Sequence, residues 1–503
     1  MSKEQEGKVR PSLATAGARR RKFVNLPMLL RIIGLLLLIE AAMMLLPVIC
    51  ELICADGSVF HFLFPFALTA AAGFGLVRLR PQSHEMGRRE AILLTALTWV
   101  ILSLFGMLPF IFAGTHMTVT DAFFETMSGF TTTGATILGD VEALSHASML
   151  WRCLTHWVGG MGVLVFMLIV LPLAGGQTIF LMRAESPGPA VSKMSPHMRD
   201  TATILYAIYF GLTVLQMILL LIGGMPFFDA ICVSLGTAGT GGFSIKADSF
   251  ASYSPYLQTV TTVFMALFGV NFSIYFFLLQ KKFDLAFKNT ELRWYVGIIL
   301  FSIAMITANI LPMYPDFHAA IHHAAFSVSS VITTTGFGTE NFDLWPEFSR
   351  VILVFLMIVG ASAGSTGGGL KVSRLVILVR AAQVEVRRLI RPRTVKVMRI
   401  DGKPVGQDTV RAVSGYLILY VLICMVSVLL VSLDGFDGST TVTAVLATFN
   451  NIGPGLGLVC PAGNFAMFSP LAKVVLCLDM LFGRLEIYPM LVLLLPSTWS
   501  KKN

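Results

Sequence analysis

Thr131-Thr132-Thr133-Gly134-Ala135-Thr136 returns in altered form three more times along the chain. It is met as Gly239-Thr240-Gly241-Gly242-Phe243-Ser244, as Thr333-Thr334-Thr335-Gly336-Phe337-Gly338 and as Asn450-Asn451-Ile452-Gly453-Pro454-Gly455. Aligned on Gly134, Gly242, Gly336 and Gly453, the copies lie 108, 94 and 117 residues apart. Repetition at this scale governs the architecture and is read first. Each tail follows about nine apolar and small residues: AFFETMSGF, AICVSLGTA, AAFSVSSVI and TVTAVLATF. Thirteen residues before the aligned glycines stand Asp121, Asp229, His323 and Thr440, and Asp and Thr are good helix N-caps. Such leaders are too short to cross a bilayer and too apolar for an exposed loop. Each reads as a half-helix that dips inward and returns through an extended tail. Non-helical backbone at membrane depth is tolerated only where it lines a cavity or is buried in protein.

The segments around the repeats set the solvent. Of 503 residues, 55 % are hydrophobic and 13 % charged, against about 45–50 % and 25 % in a soluble domain. Stretches long enough for a bilayer, about 20 residues each, occur at 29–50, 60–77, 91–113, 150–174, 202–224, 257–279, 294–313, 347–379, 411–433 and 470–497. No small-residue cleavage site follows the first, so it is expected to be a permanent span and not a signal peptide. The expected fold is an all-α polytopic membrane protein, with ten transmembrane helices and four re-entrant pore loops in a pseudo-four-fold repeat. The expected divisions are a basic tail (1–28), two leading helices (29–89) and repeats at 90–200, 201–293, 294–410 and 411–503.

The net charge of +9 does not mark a nucleic-acid footprint. Of the 37 Lys and Arg, 31 fall in alternate connections, while Asp56, Asp140, Glu142, Glu340, Asp343, Glu347 and Asp434 occupy the others. This is the positive-inside pattern, and it puts both termini in the cytoplasm. The seven Cys are scattered; Cys50 and Cys54 leave a local disulfide open. His318 and His322 have the i, i+4 spacing of a helical metal site, but no HExxH follows, and packing is the stronger reading.

Four such tails point to a pore for a monovalent cation. Rings of backbone carbonyls replace a hydration shell without permanent charge, and glycine permits the backbone angles that aim them. The converging helix C-termini add about half a negative charge each. No acidic residue adjoins the four glycines, unlike a pore for divalent ions. Turns that merely connect helices are the competing reading, and fourfold recurrence on one side speaks against it.

A second constellation lies deeper. Glycines fall near the middle of each following span: Gly159/Gly160/Gly162, Gly269, Gly360/Gly364 and Gly483. In the first repeat, tight helix packing explains them. In the third they swell to Gly360-Ala361-Ser362-Ala363-Gly364-Ser365-Thr366-Gly367-Gly368-Gly369-Leu370-Lys371, which cannot hold a straight helix when each interior Gly costs about 1 kcal/mol. A break into an intramembrane loop, a movable constriction, is expected there. Gly364 and Gly369 mimic the glycine spacing of a phosphate-binding loop, but Leu370 precedes Lys371 and Val372 stands where Ser or Thr should. Arg484 and Glu486 sit near the midpoint of the last span, a depth where ionisable groups are functional by default. Arg484 is expected to place positive charge just below the tails, where it either resists cation flow or tethers the third-repeat loop; the competing reading is a structural ion pair, for instance with Asp479 or Glu486.

Together with the four tails, the runs GASAGSTGGGLKVSR and GRLEIYPMLVLLLP resemble the Trk/Ktr/HKT superfamily over roughly residues 29–497, and the two leading spans resemble its Trk branch. The resemblance implies potassium uptake across the inner membrane by a homodimer. It also implies control by a cytoplasmic nucleotide-binding (RCK-type) subunit, with no cofactor in the chain itself. By this likeness potassium would lie at Thr132, Thr133, Gly134, Thr240, Gly241, Gly242, Thr334, Thr335, Gly336, Asn451, Ile452 and Gly453. The gate would comprise Gly364, Ser365, Thr366, Gly367, Gly368, Gly369 and Lys371, with Arg484 facing the pore. In plant members, serine for the first glycine accompanies sodium preference; Gly134 implies potassium. The partner is expected on the basic side, at 374–411 with Arg387, Arg388, Arg391 and Arg393. A proton- or sodium-coupled symporter and a poorly selective K+/Na+ pathway are the alternatives. An enzyme is not expected: HExxH, GxSxG and the P-loop are all missing.

Overall fold

The computed structural model describes residues 25–81, 88–113, 117–170, 198–391, 398–485 and 487–496. The basic tail up to residue 24, expected to be disordered, lies outside the described residues, as do Arg183, Lys193, Arg393, Glu486, Lys501 and Lys502. Among the described residues the only strands are Arg399–Ile400 and Lys403–Pro404, an antiparallel pair. The rest is helix and connection.

Helix α1 (Leu26–Cys54) starts at Asn25, whose side chain accepts from the Met28 N–H. It packs on α2 (Phe60–Val77), α3 (Arg88–Gly106) and α6 (His146–Val170), the last preceded in the chain by α4 (Leu108–Phe112) and α5 (Val119–Phe130). At the α1–α2 crossing, a methyl group on Gly34 would come 2.7 Å from the Gly73 carbonyl oxygen, and one on Gly73 2.9 Å from that of Gly34. Small residues let two backbones meet in a medium where the hydrophobic effect does not drive helices together.

Six helices among the described residues are long and apolar enough to cross a bilayer: Leu26–Cys54, Phe60–Val77, Glu90–Phe112, Thr203–Ile222, Thr290–Met313 and Gln407–Asp434. A seventh candidate is a pair bent by 92°, Pro255–Phe268 and Phe272–Leu279. The other expected spans fall on α6, on Glu347–Val359 with Val372–Ile390, and on Pro470–Leu485 with Ile487–Leu494. Large side chains on these helices stay exposed, among them Ile222, Phe301 and Leu429. Apolar surface of that extent marks a molecule partnered by lipid.

The four leaders are helices, longer than the sequence led us to expect: Val119–Phe130, Phe227–Gly239, Phe317–Ile332 and Gly438–Phe449, of 12, 13, 16 and 12 residues. They also start earlier. Thr118 caps the first in a capping box with Asp121, Pro226 precedes the second, and Asp316 and Asp437 cap the third and fourth. Asp121, Asp229 and Thr440 therefore belong to first turns, and His323 lies inside its helix. Hydroxyls of Ser439 and Thr440 hold the Asp437 carboxyl down at about 2.

Acidic residues of alternate connections tie one end of the bundle together. Asp56 meets His146 at 2.5 Å, Glu142 accepts from the Ala247 N–H at 3.0 Å, and Asp343 from the Gly457 N–H at 3.0 Å. Cys50 and Cys54 lie at this end as free thiols, sulfurs 4.0 Å apart. At the other end, Asp401 of the short hairpin accepts from the Thr290 N–H, among the basic connections.

Replacing Gly34 by leucine is expected to force α1 from α2 and cost about 1–3 kcal/mol. It should register as a lower melting temperature of the detergent-solubilised protein, with Gly75→Ala, where nothing lies within 4 Å of the added carbon, as the silent control.

Candidate functional site

The four tails leave their helices by one and the same backbone route. Thr132, Thr240, Thr334 and Asn451, each two residues before the aligned glycine, have φ of 56°, 54°, 59° and 56°. Their N–H groups donate to the carbonyls of Gly129, Thr237, Val331 and Thr448. The next N–H groups, of Thr133, Gly241, Thr335 and Ile452, donate to Ser128, Gly236, Ser330 and Ala447 at 2.8–3.0 Å. This is the Schellman closure of a helix C-terminus, which normally places glycine at the left-handed position. Here threonine holds it three times, although a β-branched residue in that conformation is a genuine outlier, with a strain of order 1–3 kcal/mol. The aligned glycines then turn left-handed again, at φ 78°, 74°, 90° and 92°.

The tails meet in cyclic order. A methyl group on Gly134 would lie 1.9 Å from the Gly241 carbonyl oxygen, and one on Gly242 1.8 Å from that of Thr335. One on Gly336 would lie 2.2 Å from the Ile452 oxygen, and one on Gly453 2.8 Å from that of Thr133. First touches second, second third, third fourth, and fourth first. The twelve filter residues expected from sequence are thus brought together, and a cavity touching Gly134, Gly242, Gly336 and Gly453 opens beyond the ring.

Behind the ring lies an ion pair that sequence reasoning missed. Glu125, in the first leader helix, pairs with Arg152 of α6 at 2.6 Å, and both side chains are fully buried. Glu125 also accepts from the Thr136 hydroxyl at 3.0 Å and the Ile137 N–H at 3.0 Å. Arg152 donates to the Ser244 carbonyl at 3.2 Å and lies 3.8 Å over the Phe243 ring. One carboxylate and one guanidinium thereby lock the first tail to the second. An acidic residue inside an otherwise apolar leader was the available signal. His156 was missed as well. A methyl group on Gly241 would come 2.3 Å from its ring, and that ring stacks on Phe243 at 4.0 Å. The imidazole takes the space that explains glycine where the first and third tails carry threonine.

Residues 360–371 interrupt the third repeat's span between Val359 and Val372, where a loop was expected. The loop presses on the tails from below: the Gly368 N–H donates to Thr334 Oγ1 at 2.7 Å, and a methyl group on Gly368 would meet the Asn450 oxygen at 2.2 Å. Lys371 is buried, its ammonium donating to the Gly367 carbonyl. The second repeat is broken too, which the sequence reading did not expect. Its span bends at Gly269–Asn271, and the two breaks join, Ser362 N–H donating to the Gly269 carbonyl and Phe272 N–H to that of Gly364. The Ala363 N–H donates to Glu291 at 2.6 Å. Arg484 reaches across: its guanidinium donates to the Thr366 carbonyl at 2.8 Å, the Gly160 carbonyl at 3.1 Å and the Gly159 carbonyl. It thus tethers the loop to α6. Asp479, the other suggested partner, accepts from the Ser427 hydroxyl at 2.6 Å.

His318 and His322 stack at 6.4 Å, and His322 meets Gln258 Oε1 at 2.6 Å. No group of three or more metal-binding side chains occurs among the described residues.

A family model, TrkH, described as a cation transport protein, matches residues 59–502. The Trk system potassium uptake protein TrkH of Salmonella typhimurium is 38 % identical over 478 residues, covering 94 % of this chain and 99 % of that protein. The Trk system potassium uptake protein TrkG of Escherichia coli K12 is 32 % identical over 473 residues, covering 93 % and 97 %. The crystal structure of the potassium transporter TrkH from Vibrio parahaemolyticus superposes with a TM-score of 0.85 at 34 % identity, covering 94 % of this chain and all of that one.

Arg152→Met should leave Glu125 a buried charge without its counter-ion, a loss of about 3–5 kcal/mol, read as a fall in melting temperature. Glu125→Gln in the same chain should restore part of it. Equal melting of the single and double variants would show that the pair does not act as a unit.

Proposed function

The chain belongs to the TrkH family of cation transport proteins, and from that we propose that it takes up potassium ions across the inner, or plasma, membrane through the ring of four tails. The observation that carries the reading is the closed cycle in which each tail's glycine lies against a carbonyl of the next. A potassium ion entering the ring exchanges water for main-chain oxygens of Thr132 to Gly134, Thr240 to Gly242, Thr334 to Gly336 and Asn451 to Gly453. Rings of carbonyls support this exchange without a fixed countercharge, and the negative ends of four helices lower its cost. The tails carry no titratable side chain, which favours conduction over proton-coupled symport.

In this proposal ten spans and four re-entrant loops make up the fold, divided as two leading helices (29–89) and four repeats (90–200, 201–293, 294–410, 411–503). Residues Gly364 to Gly369 with Lys371 form the gate. Arg484 holds it shut by bonding the loop and α6 at once, with a positive charge on the path. Opening requires those carbonyls to be released. Both termini face the cytoplasm, the protein works as a homodimer, and a nucleotide-binding subunit docks on the basic side. Exposed Leu389 and Ile390 (84 % and 73 %) beside Arg387 and Arg388 favour the end of Val372–Ile390 as the contact.

Growth of cells lacking potassium uptake systems tests the reading. The intact chain is expected to rescue growth at low potassium. Gly336→Ser should lower the preference for potassium over sodium about tenfold, equivalent to about 1.4 kcal/mol. If that variant kept its selectivity, the ring would not be the filter. Deleting Gly364–Gly369 should raise ungated leak, and unchanged flux would remove the loop's role as gate.

A further inference from the structure

Residues 360–371 leave the helix ladder, so their backbone groups must find partners elsewhere. Side chains from outside the loop supply some of them. Thr334 accepts from the Gly368 N–H at 2.7 Å, beneath the third tail. Arg484 donates to the Thr366 carbonyl at 2.8 Å, from the last span. Glu291 accepts from the Ala363 N–H at 2.6 Å, a charge-assisted contact of the stronger kind. Thr334 belongs to the ring and Arg484 to the proposed gate. Glu291 belongs to neither, yet from the first turn of Thr290–Ile310 it holds the same loop.

Two further observations bear on what that bond does. A cavity of about 400 Å³ adjoins the loop on this side, lined by Ala363, Glu291 and Asn271 and, from the hairpin, by Asp401 and Lys403. A close-packed interior does not let a loop shift unless room adjoins it, and here the room begins where the Glu291 bond ends. The hairpin also holds the residue next to Glu291: Asp401 accepts from the Thr290 N–H at 2.7 Å and from the Asn289 amide at 3.4 Å. It is tied in turn to Val372–Ile390, where Arg380 donates to the Arg399 carbonyl.

We propose that Glu291 is a positioning residue of the gate: its carboxylate fixes the loop beneath the ring, and Asp401 of the hairpin fixes Glu291. The inference deepens the reading of the loop as the gate and rests on it. Arg484 and Glu291 hold the loop from two sides in one and the same arrangement, so loss of either bond acts in one direction, toward opening. With Glu291 withdrawn, Ala363 moves into the cavity and draws the loop from Thr334. Displacing the hairpin from Thr290–Ile310 has the same effect with no contact at the loop itself. That makes the hairpin the part of the basic face through which a docked subunit acts.

Basal potassium flux in proteoliposomes carrying the full-length protein tests this, with melting temperature read in parallel. Glu291→Leu is expected to raise the flux about tenfold, the scale set by removing one charge-assisted hydrogen bond from a closed–open equilibrium. Glu291→Gln, whose amide oxygen still accepts from Ala363, should recover most of the closure. Should Glu291→Leu not fold, Glu291→Asp keeps the charge but falls a methylene short of the loop, and it should leak as well. The added flux should keep its preference for potassium; a leak that lost it would come from a damaged ring and overturn the proposal. So would equal leaks from Glu291→Leu and Glu291→Gln, or unchanged flux in Glu291→Leu while deletion of Gly364–Gly369 leaks. If the deletion itself does not leak, the gate reading falls, and the role of Glu291 with it. Asp401→Gly removes the second acceptor at a position whose φ of 49° suits glycine. It should leak less than Glu291→Leu, and the double variant no more than Glu291→Leu alone. Additive leaks would show two independent sites and overturn the part given to the hairpin.

Discussion

Contact between an α-carbon and a neighbouring carbonyl, repeated around a closed cycle of four, is the constraint on which the rest of this molecule depends. It leaves no room for a single methyl group at Gly134, Gly242 or Gly336. The tails therefore cannot be approximate. Each must emerge from its helix at the same height and angle, which is why the same pair of hydrogen bonds closes all four helix ends. Threonine in a left-handed conformation is tolerated because those bonds, with the packed tails on either side, over-determine the position.

Holding such a ring in lipid needs rigid backing. In the first and second quarters, the Glu125–Arg152 pair supplies it with hydrogen bonds to both tails. In the third and fourth, the interrupted span does so, with Gly368 against Thr334 and Asn450. The two halves are thus supported by different chemistry, one ionic and fixed, the other a glycine-rich loop held by backbone bonds. Arg484 connects them, because it donates to a carbonyl of the loop and to carbonyls of α6. The proposed gate lies on the half that lacks the ion pair.

Much of this was legible before any coordinates. Gly134, Gly242, Gly336 and Gly453 stand out because a position that admits no side chain tolerates little else, and the run from Gly360 to Gly369 announces a break because no helix survives it. What escaped was whatever depends on distant partners. Glu125 and Arg152 are 27 residues apart on different helices, and nothing in either segment names the other. The left-handed threonines ran against propensity, since β-branched residues argue for extended backbone. Leader helices were placed late because Asp121 and Thr440 are cap-type residues that lie inside first turns. The bend at Gly269–Asn271 had its signal, a glycine two residues before an Asn that caps the next helix, but it was overshadowed by the apolar run on either side.

His156 backs the ring at the second tail, against Gly241. A four-chain assembly built from identical subunits would have to carry any such substitution four times over, with its cost multiplied. Covalent fusion of the quarters removes that obligation. Gly241 and the imidazole beside it are a local exchange, bulk moved from one backbone position to a helix behind it while three sectors stay as they were. Rotational equivalence is thereby optional in this protein, and its affinity for an ion is adjustable in steps smaller than a homotetramer allows.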